Sequence, residues 1–146
     1  MKISKALKKK NKLVKELQVF LTRAQQTNSI IEGKTRYYEP RKMIDLANEK
    51  LEELVSLKTK ISVANQPIQS KIYKLSELKS LLTNIREIST DEGPNESSSF
   101  YREQNKIIIY TSEIKTVEID QMVKNIENEI ESIQDELDVY NNTTEI

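Results

Sequence analysis

The amino-acid sequence predicts a mainly α protein: an elongated antiparallel bundle of about four long helices, with a short β-hairpin before the last helix. The first supporting observation is composition. The 146 residues include two Gly and three Pro, and 32% are charged while 5% are aromatic, which is typical of long helices with polar surfaces. The second is periodicity, because apolar residues between the Gly and Pro positions recur at steps of three and four, along one side of a helix.

The third observation is helix length. A helix of about 29 residues spans roughly 44 Å, whereas a sphere-like fold of this size is about 38 Å across. Helices this long, with narrow apolar stripes, pack side by side at a shallow crossing angle. We therefore expect residues 1–146 to form a single helical domain.

The first helix is expected over about residues 4–32. Gly33 follows it and tolerates the left-handed conformation that often ends a helix. The apolar stripe consists of Ile3, Leu7, Lys10, Val14, Leu17, Leu21, Ala24, Asn28 and Ile31, widened by Leu13 and Phe20. Leu17 and Leu21 are therefore predicted to lie in a packing or oligomer seam.

The second and third helices are expected over about residues 40–63 and 66–89. Pro40 suits a first helical turn, where its missing N–H is harmless. Their predicted seam residues are Leu51, Leu54, Leu75 and Leu82. Asn65 could cap a new helix with Pro67 in its first turn, so we favour an antiparallel hairpin of two helices. The alternative is one helix of about 50 residues kinked at Pro67.

The last helix is expected over about residues 116–140, with Thr116 as its N-cap and Glu118 in the first turn, where an acid suits the helix dipole. Its stripe alternates steps of four and three throughout. The stripe consists of Ile119, Val123, Ile126, Ile130, Ile133, Leu137 and Tyr140. From it we assign Ile126, Ile130, Ile133 and Leu137 to the predicted seam.

Residues 90–115 are expected to form a loop or a hairpin. The segment 89–106 has loop composition, and the β-branched run from Ile107 to Tyr110 predicts a strand. Phe100 and Tyr101 could supply its hairpin partner. Five of the eight aromatic residues lie in connections: Tyr37, Tyr38, Phe100, Tyr101 and Tyr110. We favour a role in bracing the ends of the bundle, with a recognition surface as the alternative.

The residue types present disfavour enzymatic chemistry. The sequence contains no Cys, His or Trp, which excludes disulfides, thiolate or imidazole metal sites, and Ser-His or Cys-His catalysis. Adjacent carboxylates such as Glu52 and Glu53 fit no calcium loop and no phosphate-binding motif, so we interpret them as helix surface. We predict no catalytic residues, no metal and no cofactor.

The charge distribution is strongly asymmetric although the formal net charge is zero. Residues 1–38 carry a net charge of +8 and residues 113–146 carry −8. The lysines of the first helix are expected to pair with the acidic last helix or to be solvated. As an alternative, Lys5, Lys8, Lys9 and Lys12 could bind anions on a membrane surface or a nucleic acid. No aromatic residues interleave with these lysines, which disfavours single-stranded nucleic acid.

Several segments resemble the septicolysin-like family of small bacterial proteins. They include residues 1–8, 57–61, 64–68, 75–80 and 133–138, and the closing residues 141–146. The resemblance covers nearly the whole chain and implies a mainly helical protein without an established activity. The family label suggests a cytolysin, although the chain has neither the Cys of a thiol-dependent lysin nor an apolar hairpin suited to insertion.

Together these features predict a non-enzymatic helical interaction protein that forms a homo-oligomer. We expect a cytoplasmic location, since no apolar run approaches 18 residues and the N-terminus lacks the apolar run of a secretory signal. One alternative is a peripheral binder of anionic membrane or nucleic acid through the first helix. The other is a cytolysin-like toxin, which only the family label suggests.

Overall fold

The computed structural model describes residues 1–95 and 108–146. In these residues the fold is mainly α with a small antiparallel sheet, as predicted. The elements are α1 (Ile3–Asn28), α2 (Pro40–Asn65), a 3₁₀ turn (Gln66–Ile68), α3 (Gln69–Arg86), β1 (Gly93–Asn95), β2 (Ile108–Tyr110) and α4 (Thr116–Thr143).

The chain divides into two compact units. The first contains Met1–Gln69 and Leu137–Ile146, and the second contains Ser70–Glu136. The first unit is therefore built on α1 and α2, with the last residues of α4. The second unit contains nearly all of α3, the two strands and most of α4.

In the first unit, α1 and α2 pack closely in antiparallel directions. The main buried cluster consists of Ala6, Leu13, Leu54, Leu57 and Ile61, with Leu7, Leu17 and Ile146 packed against it. The start of α1 thus faces the end of α2. At the opposite end, Ala24 of α1 and Pro40 of α2 line the same small cavity. Burial of each Leu or Ile side chain contributes about 1.5–3 kcal/mol, so this seam is a main source of the unit's stability.

The buried face of α1 differs from the predicted stripe at every second position. At these positions the residue that faces the core lies one place earlier in the sequence. Residues that are buried or half-buried at alternating steps of three and four are Ile3, Ala6, Lys10, Leu13, Leu17, Phe20, Ala24 and Thr27. Val14 and Leu21, which the stripe included, remain exposed. The small side chains of Ala6 and Ala24 let α2 approach closely, and Thr27 is buried because its hydroxyl donates to the Arg23 carbonyl at 2.7 Å.

The end of α1 lies at Asn28, four residues before the predicted end. Residues from Thr27 onward are poor helix formers, and the side chain of Arg36 provides an alternative partner for the last carbonyls. Its Nε donates to Thr27 O at 2.9 Å and its Nη2 to Asn28 O at 3.1 Å. Gly33 adopts a positive φ of 81°, but it does so in a turn that Lys34 N closes onto Ile31 O, and not as the helix stop.

The favoured hairpin between the second and third helices is wrong. The backbone is helical from Pro40 to Arg86, interrupted only by the 3₁₀ turn that contains Pro67. Asn65 and Gln66 both have right-handed helical dihedral angles, and the Asn65 side chain makes no capping hydrogen bond. A reversal needs residues outside the helical region, and Pro67 can stay in a helix because the 3₁₀ turn accommodates its missing N–H.

The two ends of the described chain meet in the first unit. The Met1 amino group donates to Ile146 O at 3.0 Å, and Ile146 N donates back to Met1 O at 2.9 Å. Ile3 N donates to Thr144 O, which gives the start of α1 a donor–acceptor contact beyond its own helix. The contact between these two ends is made by backbone hydrogen bonds.

In the second unit, ion pairs connect α3 and α4. They are Lys71–Glu136, Lys74–Glu129 and Arg86–Glu127. Because the order along α4 is the reverse of the order along α3, the two segments run antiparallel. All six side chains are about half exposed, and such pairs contribute little each, so they orient the helices more than they stabilise them.

The hairpin precedes α4, as expected. Gly93 pairs with Tyr110 and Asn95 with Ile108, so the partner of β2 within the described residues is β1. Phe100 and Tyr101 lie outside the described residues. The helix α4 begins at Thr116, and Lys115 O accepts the first helical bonds, which places the N-cap one residue earlier than predicted.

Candidate functional site

One side of the α1–α2 pair carries an exposed apolar row, which we call the apolar flank. It consists of Val14 (44% exposed), Leu21 (36%), Ile44 (47%) and Leu51 (41%). Leu21 and Ile44 line one cavity of about 250 Å³, so they lie on the same side of the pair. Val14 is two turns from Leu21 and Leu51 is two turns from Ile44. Because the helices are antiparallel, Val14 and Leu51 continue the row along that side.

The surroundings of the apolar flank contain few charges. The next row outward on α1 has the heptad spacing of Asn11, Gln18 and Gln25, and that on α2 has Arg41, Asn48, Val55 and Ser62. Of these seven side chains only Arg41, at the start of α2, is charged, in a chain that is 32% charged. Depletion of charge around an apolar centre is the composition that distinguishes the core of a protein interface from ordinary surface.

The opposite side of the pair is charged and internally satisfied. Lys50 Nζ lies 2.6 Å from Glu53 Oε1. This hydrogen bond raises the pKa of Lys50 and lowers the pKa of Glu53, and the charges of Glu16 and Lys9 act on them in the same directions. The two sides of the α1–α2 seam therefore differ. One side carries charged residues that pair within the chain, and the other side exposes apolar side chains.

The lysines of α1 form a separate basic face. Lys5, Lys8, Lys9 and Lys12, the predicted anion-binding residues, are all exposed. Within residues 1–95 and 108–146, Lys12 is the only α1 lysine with a carboxylate within 4 Å, namely Glu16 at 3.6 Å. Because Glu127, Glu129 and Glu136 pair with α3 and these lysines are exposed, the solvated alternative of the prediction fits them.

The predicted seam residues divide by exposure. Leu54, Leu75, Ile126, Ile133 and Leu137 are buried; Leu17, Leu82 and Ile130 are half-buried; Leu21 and Leu51 are exposed. The two exposed residues are the ones that belong to the apolar flank. The predicted stripe of α1 included Val14 without assigning it to a site, and Ile44 was not assigned either, although the heptad spacing of these residues from Leu21 and Leu51 was a usable signal.

A second feature is an open cleft at the connection between α1 and α2, which we call the connection cleft. Its volume is about 860 Å³, and it is lined by Gln26, Thr27, Ser29, Ile30, Ile31, Lys34, Thr35, Arg36 and Tyr37. Sequence analysis did not assign this site. The sequence signal that could have indicated this cleft was a connection between two helices that contains Gly33, Lys34, Arg36 and Tyr37.

The two tyrosines of this connection have different surroundings. Arg23 places its guanidinium 4.6 Å from the centre of the Tyr38 ring, a cation–π contact that braces the connection against α1. Tyr37 is 94% exposed. The bracing role expected of the aromatic residues therefore fits Tyr38, whereas the exposed Tyr37 fits the alternative of a recognition surface.

In the described residues, no group of three or more Asp, Glu, His or Cys side chains is placed to hold a metal ion. No described helix combines the length and apolarity that crossing a membrane requires.

No family model, curated protein or solved structure matches this chain. The resemblance to the septicolysin-like family therefore stays a prediction.

Proposed function

We propose that this chain is a non-enzymatic helical interaction protein that self-associates through the apolar flank. The observation that carries the proposal is the contiguous row of Val14, Leu21, Ile44 and Leu51 beside a seam that is already buried. Single exposed apolar residues are normal on a protein surface, whereas a continuous row marks a contact site.

Helix periodicity supports the same interpretation. A helix that packs against one partner needs a narrow seam of two apolar positions per seven residues, whereas a helix packed on two sides needs a wider stripe. Both α1 and α2 carry the wider stripe. Their seam positions satisfy the contact between them, so the extra row on each helix requires a further partner.

A second copy of the chain is the partner that this geometry favours. The row runs along both members of an antiparallel helix pair, so a two-fold rotation brings the row of one copy onto that of another. The neighbouring rows, in which Arg41 is the only charged residue, reduce the desolvation cost that charged neighbours would impose. Two helix pairs joined in this way form an intermolecular four-helix arrangement.

The experiment is light scattering coupled to size exclusion over a range of concentrations. We expect the wild-type mass to rise toward that of a dimer at tens of micromolar. Leu51→Lys and Val14→Lys should remain monomeric with unchanged helical circular dichroism, because a half-exposed Lys can extend its amine to water. Val139→Lys, at an exposed apolar position of α4, is the matched control and should assemble as wild type. A wild-type protein that stays strictly monomeric would contradict the proposal.

A second candidate function is binding of an anionic surface by the basic face of α1. The supporting observation is that Lys5, Lys8 and Lys9 have no carboxylate within 4 Å in the described residues. Since the apolar seam of α1 is occupied by α2, this binding would be electrostatic and would not insert the helix. Sedimentation with duplex DNA and with anionic vesicles across a salt series tests it, and indifference to both at low salt would exclude it.

A further inference from the structure

We propose that the connection cleft binds a small organic anion that has an apolar body. The cleft volume of about 860 Å³ lies in the range of about 300–1,000 Å³ found for small-molecule sites. It belongs entirely to the first unit. This inference is independent of self-association, since it concerns a different set of residues.

The charge of the lining defines the ligand class. Lys34 and Arg36 are its two charged residues, and no carboxylate lines it; Glu32 belongs to the same connection but is not part of the lining. Lys34 has no carboxylate within 4 Å among residues 1–95 and 108–146. Two cations without an acid in one cleft favour a negatively charged group, such as a phosphate or a carboxylate.

The structure leaves donors available for that group. Arg36 uses Nε and Nη2 on Thr27 O and Asn28 O, which neutralises the negative end of α1 that would otherwise repel an anion. A guanidinium carries five N–H donors, so Arg36 retains donors beyond these two bonds. Lys34 retains its ammonium group, and Ser29 and Thr35 add hydroxyls.

The remaining lining determines the body of the ligand. Ile30, Ile31 and Tyr37 provide apolar surface, of which Ile31 is 75% and Tyr37 is 94% exposed. An aromatic ring can pack on such side chains while its phosphate reaches Lys34 and Arg36. An aryl phosphate is therefore a suitable probe of this site.

The test is an NMR titration of the full chain with phenyl phosphate. We expect saturable amide shifts at Ile31, Lys34 and Tyr37. Lys34→Ala should weaken binding about tenfold, because it removes a charge-assisted contact. Tyr37→Ala should weaken phenyl phosphate more than inorganic phosphate. Lys79→Ala, which removes an exposed lysine of α3 outside the cleft, is the matched control and should bind as wild type.

Because Lys34 and Tyr37 are exposed, we expect their variants to fold. A change in binding can then be attributed to the cleft. Unchanged thermal unfolding and far-ultraviolet circular dichroism verify this. Absence of saturable shifts up to the solubility limit of phenyl phosphate would overturn the proposal. Equal shifts with phenol, or equal weakening by Lys34→Ala and Lys79→Ala, would overturn it as well.

Discussion

The Tyr140 hydroxyl donates a hydrogen bond of 2.8 Å to the backbone carbonyl of Ala64. This carbonyl lies three residues before Pro67, within the transition from α2 into the 3₁₀ turn. A 3₁₀ bond to Ala64 O would have to come from residue 67, and proline has no N–H. The last helix thus supplies a donor at the place where the proline removes one.

Tyr140→Phe removes that donor and keeps the ring. We expect the free energy of unfolding to fall by about 1 kcal/mol, the usual net value of a partly buried hydrogen bond. Chemical denaturation measures it. Tyr73→Phe is the control, since Tyr73 is an exposed tyrosine of α3 and its variant should match wild type. Equal stability of Tyr140→Phe and wild type would contradict the role assigned to this bond.

Arg36 closes the end of α1 by donating to two of its last carbonyls. Arg36→Ala should lower the free energy of unfolding by about 1 kcal/mol, at the low end for charged hydrogen bonds because the site is partly exposed. Arg36→Lys should recover only part of it, since lysine lacks the planar fork. Faster amide exchange at Asn28 and Ser29 in Arg36→Ala would localise the effect, whereas unchanged exchange there would exclude this role.

The side-chain oxygen of Asn65 is buried and, among the described residues, has no hydrogen-bond partner. Asn65→Ala removes an unsatisfied acceptor and adds helix propensity. We therefore expect thermal unfolding to show a stabilisation of about 0.5–1 kcal/mol. Asn48→Ala, at an exposed position of α2, measures the contribution of helix propensity alone. We expect it to be stabilised less than Asn65→Ala. A destabilised Asn65→Ala would mean that the oxygen has a partner after all.

Glu92 accepts hydrogen bonds from Lys115 and from Ser112 at the base of the hairpin, and the bond from Lys115 is the main cause that lowers the pKa of Glu92 from its ordinary value. A carboxyl with a lowered pKa in the folded state stabilises that state above its unfolded pKa, and this contribution disappears as the pH falls through the folded value. Carbon NMR should give a titration midpoint lower than that of an unperturbed glutamate, and the midpoint should rise in Lys115→Met. A midpoint that Lys115→Met leaves unchanged would refute the assignment.

The sequence predicted the last helix better than the first. Every residue of the α4 stripe, from Ile119 to Tyr140, is buried or half-buried. The reason is that the apolar residues of α4 with heptad spacing form a single stripe. In α1 two neighbouring stripes are apolar, one through Leu13 and one through Val14. Spacing alone therefore made these two residues equally plausible for the seam. The choice depended on how closely α2 approaches Ala6 and Ala24, which is a tertiary effect.

The outcome at Pro67 was also beyond local rules. Proline in the first turn of a new helix and proline at a kink have the same local sequence, and Asn65 is a good N-cap residue. Nothing in that segment requires a positive φ, and the backbone there remains helical. The segment around Pro67 lacks a residue such as Gly, which a tight reversal between helices commonly uses.

The candidate sites were predictable in part. Heptad spacing pointed to Leu21 and Leu51, whose exposure only the structure revealed. The connection cleft depends on Arg36 reaching back to Thr27, nine residues earlier in the chain. No periodic pattern encodes such a contact, which explains why the sequence indicated a connection but not a cleft.

Oxidative crosslinking of single-cysteine variants tests the proposed self-association most directly, because the native chain contains no cysteine. Cysteine would be placed in turn at Val14, Leu21, Ile44 and Leu51, and at Val139 as the control. Self-association through the apolar flank predicts a covalent dimer that forms much faster from at least one flank variant than from Val139→Cys. Dimer formation no faster from any flank position than from Val139→Cys would contradict it.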